Sequence, residues 1–305
     1  METRKLYYED PFQKGFATTV VSCDAVKGGY AVVLAETAFY PEGGGQPYDT
    51  GVLGEANVLE VHEKNGVITH LCDKPFEVGK SVSGKIDWAR RFDHMQQHSG
   101  EHICSGLICE RFHCDNVGFH MGADVATIDF NADISWDELM EIEQLANLYI
   151  YEDHPIDIQF YRGAELDKVE YRSKKPLEGD VRIVSFPGAD CCACCGTHVV
   201  RSGQVGLVKF LSVQKFRDGV RIELLSGKRA HRYLSECWAQ DVRIAQALSV
   251  KPNASFAGVE RVLAELSALK QRCAKLEESV FAQTAAQYEG KGDVLLFEDE
   301  MSGDS

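Results

Sequence analysis

Two segments far apart in the chain carry potential metal ligands at the same spacing: His98 and His102 in "QQHSGEHICSG", and Cys194 and His198 in "DCCACCGTHVV". Residues four apart on a helix lie one above the other, so His98 and His102 can direct imidazole nitrogens at one point about 2 Å away, the length of a metal–nitrogen bond. Two ligands do not complete a site. With Cys194 and His198 the set becomes three imidazoles and a thiolate, a borderline-soft combination that suits Zn²⁺. A fold that serves this set must bring the two segments together. Gly196 is expected to let the backbone bend so that Cys194 and His198 converge. His94, one helical turn before His98, is expected at the rim, and Cys104 and Cys109 as packing groups. A competing zinc reading pairs Cys191 with Cys194, or Cys192 with Cys195, as half of a four-cysteine ribbon. No other CxxC occurs in the chain to complete it.

Structural zinc sites are normally closed and cysteine-rich, whereas histidine-rich sites more often leave a position for water or substrate. A metal held here would lower the pKa of a bound water or polarise a carbonyl. The chain has 305 residues and eleven cysteines. Residues 1–10 lack the apolar stretch of a signal peptide, so the cysteines are expected as buried thiols or ligands rather than disulfides. No apolar run approaches the roughly 18 residues that cross a bilayer. No membrane partner is therefore expected, and the cytoplasm is the expected compartment.

A net charge of −15 disfavours a nucleic-acid partner in bulk. Between Lys209 and Arg232, however, Lys209, Lys215, Arg217, Arg221, Lys228, Arg229 and Arg232 face only Asp218 and Glu223. Such a strip can hold an RNA end, with Lys215, Arg217 and Arg221 as contacts; the alternative is a solvated face.

Residues 1–88 alternate short β-like runs with glycine-rich turns, and Asn65-Gly66 between two such runs is a hairpin signal. This part is predicted to be a small β-barrel domain. Its longest turn, "FYPEGGGQPYDTG", sets Gly43, Gly44 and Gly45 in a row, where the backbone is free for positive φ or close approach. Residues 89–227 are predicted as an α+β domain. Its first helix runs from Asp87 through Arg111, with Phe92, Met95, Ile103, Leu107 and Ile108 as an apolar stripe. A second helix has Ser135 three residues before Glu138, a capping box. Residues 228–290 read as helical, and Val259, Val262, Leu266, Leu269, Cys273, Leu276 and Val280 form a heptad seam for a homodimer or for folding back on Arg229–Leu248. Residues 291–305 begin a strand and stop, as the start of a truncated C-terminal domain or a tail. The fold class is α+β throughout.

The two ligand segments, together with "TAFYPEGGGQPYDTG" at 37–51, resemble the metal-binding and glycine-rich motifs of the alanyl-tRNA editing proteins, the AlaX group. These are free-standing relatives of the editing domain of alanyl-tRNA synthetase, and the resemblance covers nearly the whole chain in the same order. It implies a β-barrel followed by an α+β editing domain, with zinc on His98, His102, Cys194 and His198. The implied reaction is ATP-independent hydrolysis of the ester joining serine, or glycine, to the 3′ end of alanine tRNA. Such a second site is needed because a pocket for alanine cannot strongly reject one extra hydroxyl. At the matching motif positions, Thr37 is expected to hydrogen-bond the serine hydroxyl, with Gln46 and Gly43–Gly45 beside it. Glu101 stands between the two histidines without an assigned role. The other readings are a tRNA-binding module with a structural zinc, and a zinc hydrolase of another small ester.

Overall fold

Apolar–polar alternation shapes the first part of the computed structural model, which describes residues 2–173 and 179–295. After a two-residue strand, Arg4–Lys5 (β1), and a one-turn helix, Leu6–Glu9 (α1), the strand Gly15–Val26 (β2) turns Phe16, Thr18 and Val20 inward. There follow Gly29–Leu34 (β3), Glu36–Thr37 (β4, parallel to β1), Gly51–Leu53 (β5), Ala56–Lys64 (β6), Val67–Cys72 (β7) and Ser81–Ile86 (β8). Six of these close into a barrel in the order β2-β3-β7-β6-β5-β8. The β6–β7 turn is the expected Asn-Gly hairpin: Asn65 and Gly66 take φ of 51° and 77°, the positive pair that a tight two-residue turn requires. Phe16, Val20, Val32, Leu34, Phe39, Val61 and Ile68 fill the interior.

Asp87 caps the next helix, Trp88–Phe112 (α2), by accepting from Arg90 N, and His113 ends it in the left-handed conformation. The expected apolar stripe is present, but α2 is not a helix with a wet face. From His94 to Gly106 every one of its residues is buried. Small and amide side chains make this enclosure possible. A Cβ on Gly106 would stand 2.0 Å from Ala189 O, and one on Gly100 2.1 Å from Ser226 Oγ, so the first admits another backbone and the second a side chain at close range. Gln97 exchanges two hydrogen bonds with the Ser226 backbone, at 2.8 and 2.9 Å.

Around α2 lie Asn116–Met121 (β9), Ala126–Phe130 (β10), Trp136–Tyr151 (α3), Asp157–Arg162 (β11), Asp180–Phe186 (β12), Asp190–Ala193 (β13), Val208–Phe216 (β14) and Gly219–Ser226 (β15). They form two antiparallel sheets, β14-β15-β10-β9 and β11-β12-β13. Ser135 and Glu138 make the expected capping box on α3, with both reciprocal bonds present. Met95, Ile103, Ile128, Phe130, Ile142, Phe186, Phe210 and Ile222 belong to one core around α2.

The chain divides into two compact units, Met1–Tyr233 and Leu234–Ser305. The helix Gly227–Ala247 (α4) runs from the first into the second, which also holds Ser255–Gln287 (α5). Folding back within this second unit is confined to the start of α5, where the Arg261 guanidinium donates to Leu248 O at 2.8 Å and Gly258 packs on Leu248. Beyond that, the heptad positions Val262, Leu266, Leu269, Leu276 and Val280 are exposed. Residues 291–295 form neither helix nor strand, and the remainder of the expected C-terminal strand, 296–305, lies outside the described residues.

Candidate metal centre

The two motif segments meet at the middle of α2. Asp190–Ala193 pairs with β12 as an edge strand, and the chain then runs past α2 through Cys194 to His198. Cys194 Sγ stands 3.4 Å from His98 Nε2 and 3.3 Å from His198 Nε2, and one ligand atom from each of His98, His102, Cys194 and His198 lies within 4.8 Å of the others. Ligands bonded at about 2.0–2.3 Å around a tetrahedral ion stand roughly 3.3–3.7 Å apart, so the donor set fits one such ion. All three histidines are at most 3% exposed.

Each histidine is held through its other ring nitrogen. His98 Nδ1 is 2.9 Å from Gln46 Oε1, His102 Nδ1 is 2.8 Å from Asp190 Oδ2, and His198 Nδ1 is 3.4 Å from Ser99 Oγ. Asp190 is itself gripped by Arg172, whose Nε and terminal nitrogen donate at 2.7 and 2.8 Å. Outer partners of this kind fix ring orientation and leave the Nε2 atoms for an ion. Gly196 is needed for room rather than for a bend. A Cβ there would stand 2.2 Å from His98 Cε1, and its φ is not in the left-handed range. Its N–H donates to Cys194 Sγ at 3.3 Å.

The charges suit the same use. Burial alone would raise the Cys194 thiol, but His98, His198 and His102 bring it well below the ordinary thiol range. Burial pushes His198 well below the usual imidazole value, with Cys194 opposing. Burial also disfavours the His102 imidazolium, yet Cys194 and Asp190 together raise it well above its usual value. Burial works against the Asp190 carboxylate, and His102 and Arg172 nevertheless hold it below the normal range. A thiolate, as favoured at Cys194, and a neutral imidazole, as favoured at His198, are the forms that bind a metal, and an ion binding here would displace the proton that Cys194 and Asp190 favour on His102. The alternative ribbon is absent: Cys191 Sγ and Cys195 Sγ are outside both groupings of potential ligands among the described residues, and Cys192 joins only a lesser one with His102 and Asp190.

The centre opens on a cleft of about 410 Å³, lined among others by Gly44, Gly45, Glu101, Asn116, Phe119 and Arg172. Of the expected glycines, Gly44 and Gly45 reach it with φ of +60° and +83°, while Gly43 lies behind them against the Tyr40 hydroxyl. A Cβ on Gly45 would stand 2.9 Å from Phe119 O, so only glycine lets this turn dock on β9. Glu101 faces the cleft: its Oε1 accepts from Ser105 Oγ and Asn116 Nδ2, both at 2.7 Å.

Three expectations need correction. Thr37 is fully buried in the barrel, its hydroxyl 2.9 Å from His70 Nε2 and accepting from Phe39 N, and it is not among the residues lining the cleft. Gln46 is also fully buried. Its amide is spent on His98 and Thr197, and it is not among the residues lining the cleft. Nor is the Lys209–Arg221 part of the basic strip a free cationic surface. Arg221 is paired with both carboxylate oxygens of Asp129, Lys215 with Asp133 and Lys209 with Glu143, and Arg217 lies over Phe216. Counting charge along one segment missed acids supplied by distant strands and helices. Asp190, Arg172, Ser99 and Asn116 had no motif to announce them. The only sequence signal for Asp190 was its place beside the cysteine cluster.

Residues 12–90 match the model of the class II (A) tRNA synthetases, and residues 181–223 match that of the second additional domain of threonyl and alanyl tRNA synthetases, which includes Cys194 and His198. An alanine–tRNA ligase of Pyrococcus abyssi is 36% identical over 324 residues, covering 96% of this chain but 34% of that protein. The chain thus spans about a third of the length of the ligases it matches. Alanyl-tRNA editing protein Aarsd1-A of Xenopus laevis is 30% identical over 93% of this chain and 73% of its own length. Alanyl-tRNA editing protein AlaX-L of Pyrococcus horikoshii is 31% identical over 96% of this chain and 74% of its own length. With the paired ligand motifs gathered around one helix and the likeness extending across most of both chains, the chain belongs to the alanyl-tRNA editing protein family.

Proposed function

We propose that this chain is a zinc-dependent deacylase that hydrolyses the ester between a wrongly attached amino acid, serine or glycine, and the 3′ end of alanine tRNA in the cytoplasm. The observation that carries the reading is the convergence of three histidines and a cysteine, each histidine braced by an outer partner, beside a 410 Å³ cleft that His98, His102 and Cys194 line. His98, His102, Cys194 and His198 would hold the ion, which supplies Lewis-acid polarisation of a water or of the ester carbonyl. The chain's own residues do the rest. Gln46, Asp190 and Ser99 keep the imidazoles aimed, and Arg172 keeps Asp190 ionised in a buried place. Glu101, anchored by Ser105 and Asn116, is the cleft's acceptor for a substrate ammonium or hydroxyl. Gly44 and Gly45 leave backbone alone at the wall, which admits a small amino acid and its ribose. The exposed α5 seam is the proposed contact with a second copy of the chain.

The test is deacylation of seryl-, glycyl- and alanyl-charged alanine tRNA by metal-loaded and chelated protein. Removal of serine and glycine but not alanine, lost on chelation and restored by zinc, supports the reading. Tight tRNA binding without hydrolysis would leave a binding module. Equal hydrolysis of simple seryl esters and charged tRNA would leave a small-ester hydrolase.

A further inference from the structure

A second cleft, of about 450 Å³, opens where the first turns of α2 and α4 meet. Ala89 and Arg90 come to it from one helix, Lys228 and Arg229 from the other. The amino-terminal turns of helices carry partial positive charge, and here two of them border one cavity. Arg232 adds a fourth cation, one turn along α4 from Lys228, and Asp93 is the one carboxylate among the described residues of the lining. In a chain of net charge −15 this is a concentrated reversal of sign.

The cleft is built rather than incidental. Arg229 donates to both Asp93 oxygens, at 2.6 Å to Oδ2 and 3.0 Å to Oδ1, and to Gly122 O at 2.8 Å. Arg90 donates to Tyr48 O at 2.9 Å and lies 5.6 Å from the centre of the Tyr48 ring. These bonds fix two guanidinium groups in place, while the Lys228 and Arg232 side chains are exposed. His94, only 3% exposed, lines the same cavity, and its Nδ1 is buried without a hydrogen-bond partner among the described residues. Burial first, then Arg90 and Arg229, lower its pKa to about 3, so it serves as a neutral hydrogen-bonding group. Along α2, His94 is one turn, about 6 Å, from the ligand His98 on the same helical face.

We propose that this cleft binds phosphate groups of an RNA backbone, and that it, with the last three cations of the Lys209–Arg232 strip and not with Lys215, Arg217 and Arg221, holds the nucleic acid whose terminal ester reaches the metal centre. The assignment of RNA rests on the deacylase reading. The phosphate chemistry rests on the cleft itself. Lys228 and Arg232 supply donors for phosphate oxygens, Arg90 adds charge beside them, Arg229 shapes the wall through its pairing with Asp93, and His94 supplies the buried polar partner.

The experiment measures binding of a fluorescent acceptor-stem hairpin of alanine tRNA to the metal-loaded full chain between 50 and 200 mM salt, by anisotropy. The Lys228→Gln/Arg232→Gln double variant removes two of the four cations and leaves the bonds of Arg90 and Arg229 described above in place. Its affinity should fall roughly 20- to 60-fold at 0.1 M salt and its salt slope by about 1.4 to 1.8, with zinc content unchanged. Lys215→Gln/Arg217→Gln, which removes the same charge elsewhere, should lose less than about threefold. Wild-type affinity and slope in the first variant, or an equal loss in the second, overturns the proposal. So does saturable binding of orthophosphate that the hairpin cannot displace, since the cleft would then take free phosphate alone. If no charged RNA is hydrolysed yet the first variant shows the stated loss, the deacylase reading fails and the phosphate cleft stands.

Discussion

The Gln46 carboxamide and the His98 imidazole face each other across 2.9 Å, Oε1 to Nδ1, although one belongs to the glycine-rich loop beside the barrel and the other to the central helix. The same oxygen accepts from Thr197 N at 3.1 Å, and the amide nitrogen donates to Thr197 Oγ1 at 2.9 Å. One buried side chain thus couples the loop to both ligand segments.

Gln46→Leu should therefore weaken metal binding by about 10- to 100-fold, the usual consequence of removing an outer hydrogen-bond partner from a ligating histidine. Competition against a chromophoric chelator measures this directly. Unchanged affinity would show that packing alone, including Phe119 at 5.1 Å from the His98 ring, orients the ligand.

Metal stoichiometry separates the ligand sets. One zinc per chain is expected, since the second grouping, His102 with Asp190 and Cys192, shares His102 with the first. Cys194→Ala should abolish tight binding, and Cys192→Ala should retain it. Loss in both variants, measured by elemental analysis after mild chelation, would restore a CxxC reading.

Thr37→Val is expected to act on stability. It removes the hydroxyl that faces His70 Nε2 inside the barrel and leaves a buried ring nitrogen unsatisfied, a cost of about 1–3 kcal/mol. Urea denaturation should show this loss, with serine and glycine removal reduced in equal proportion. A selective loss on serine would return Thr37 to the substrate.

Burial lowers the pKa of His70 to about 4, with the bond to Val32 O partly opposing. Below pH 6.5 the unfolded chain takes a proton that the folded chain refuses until about pH 4, so this stability is complete above pH 6.5 and is lost as the pH falls toward 4. The span from 6.5 to about 4 corresponds to about 3 kcal/mol. In His70→Gln the decline over that window should be shallower by this amount in denaturation series run at fixed metal. Parallel curves would remove His70 as a source.

Much of the centre was legible in the chain. The two four-residue spacings named His98, His102, Cys194 and His198, because a helical turn and a short loop place such pairs together by local geometry alone. Alternation and Asn65-Gly66 marked the strands and one hairpin, and Ser135 with Glu138 marked a helix start, since these are also local. What only the tertiary structure decided was everything that depends on distant partners. Thr37 and Gln46 sit beside the same glycine turn, yet one faces a barrel histidine and the other a ligand. Lys215 and Arg221 read as free cations until strands and loops supplied Asp133 and Asp129. Arg90 and Lys228, far apart in sequence, line one cleft because two helices begin side by side. Spacing along a chain fixes neighbours within a turn or two; which charge is neutralised, and which polar group faces a cleft, is set by packing between elements, where the sequence carries no local periodicity to announce it.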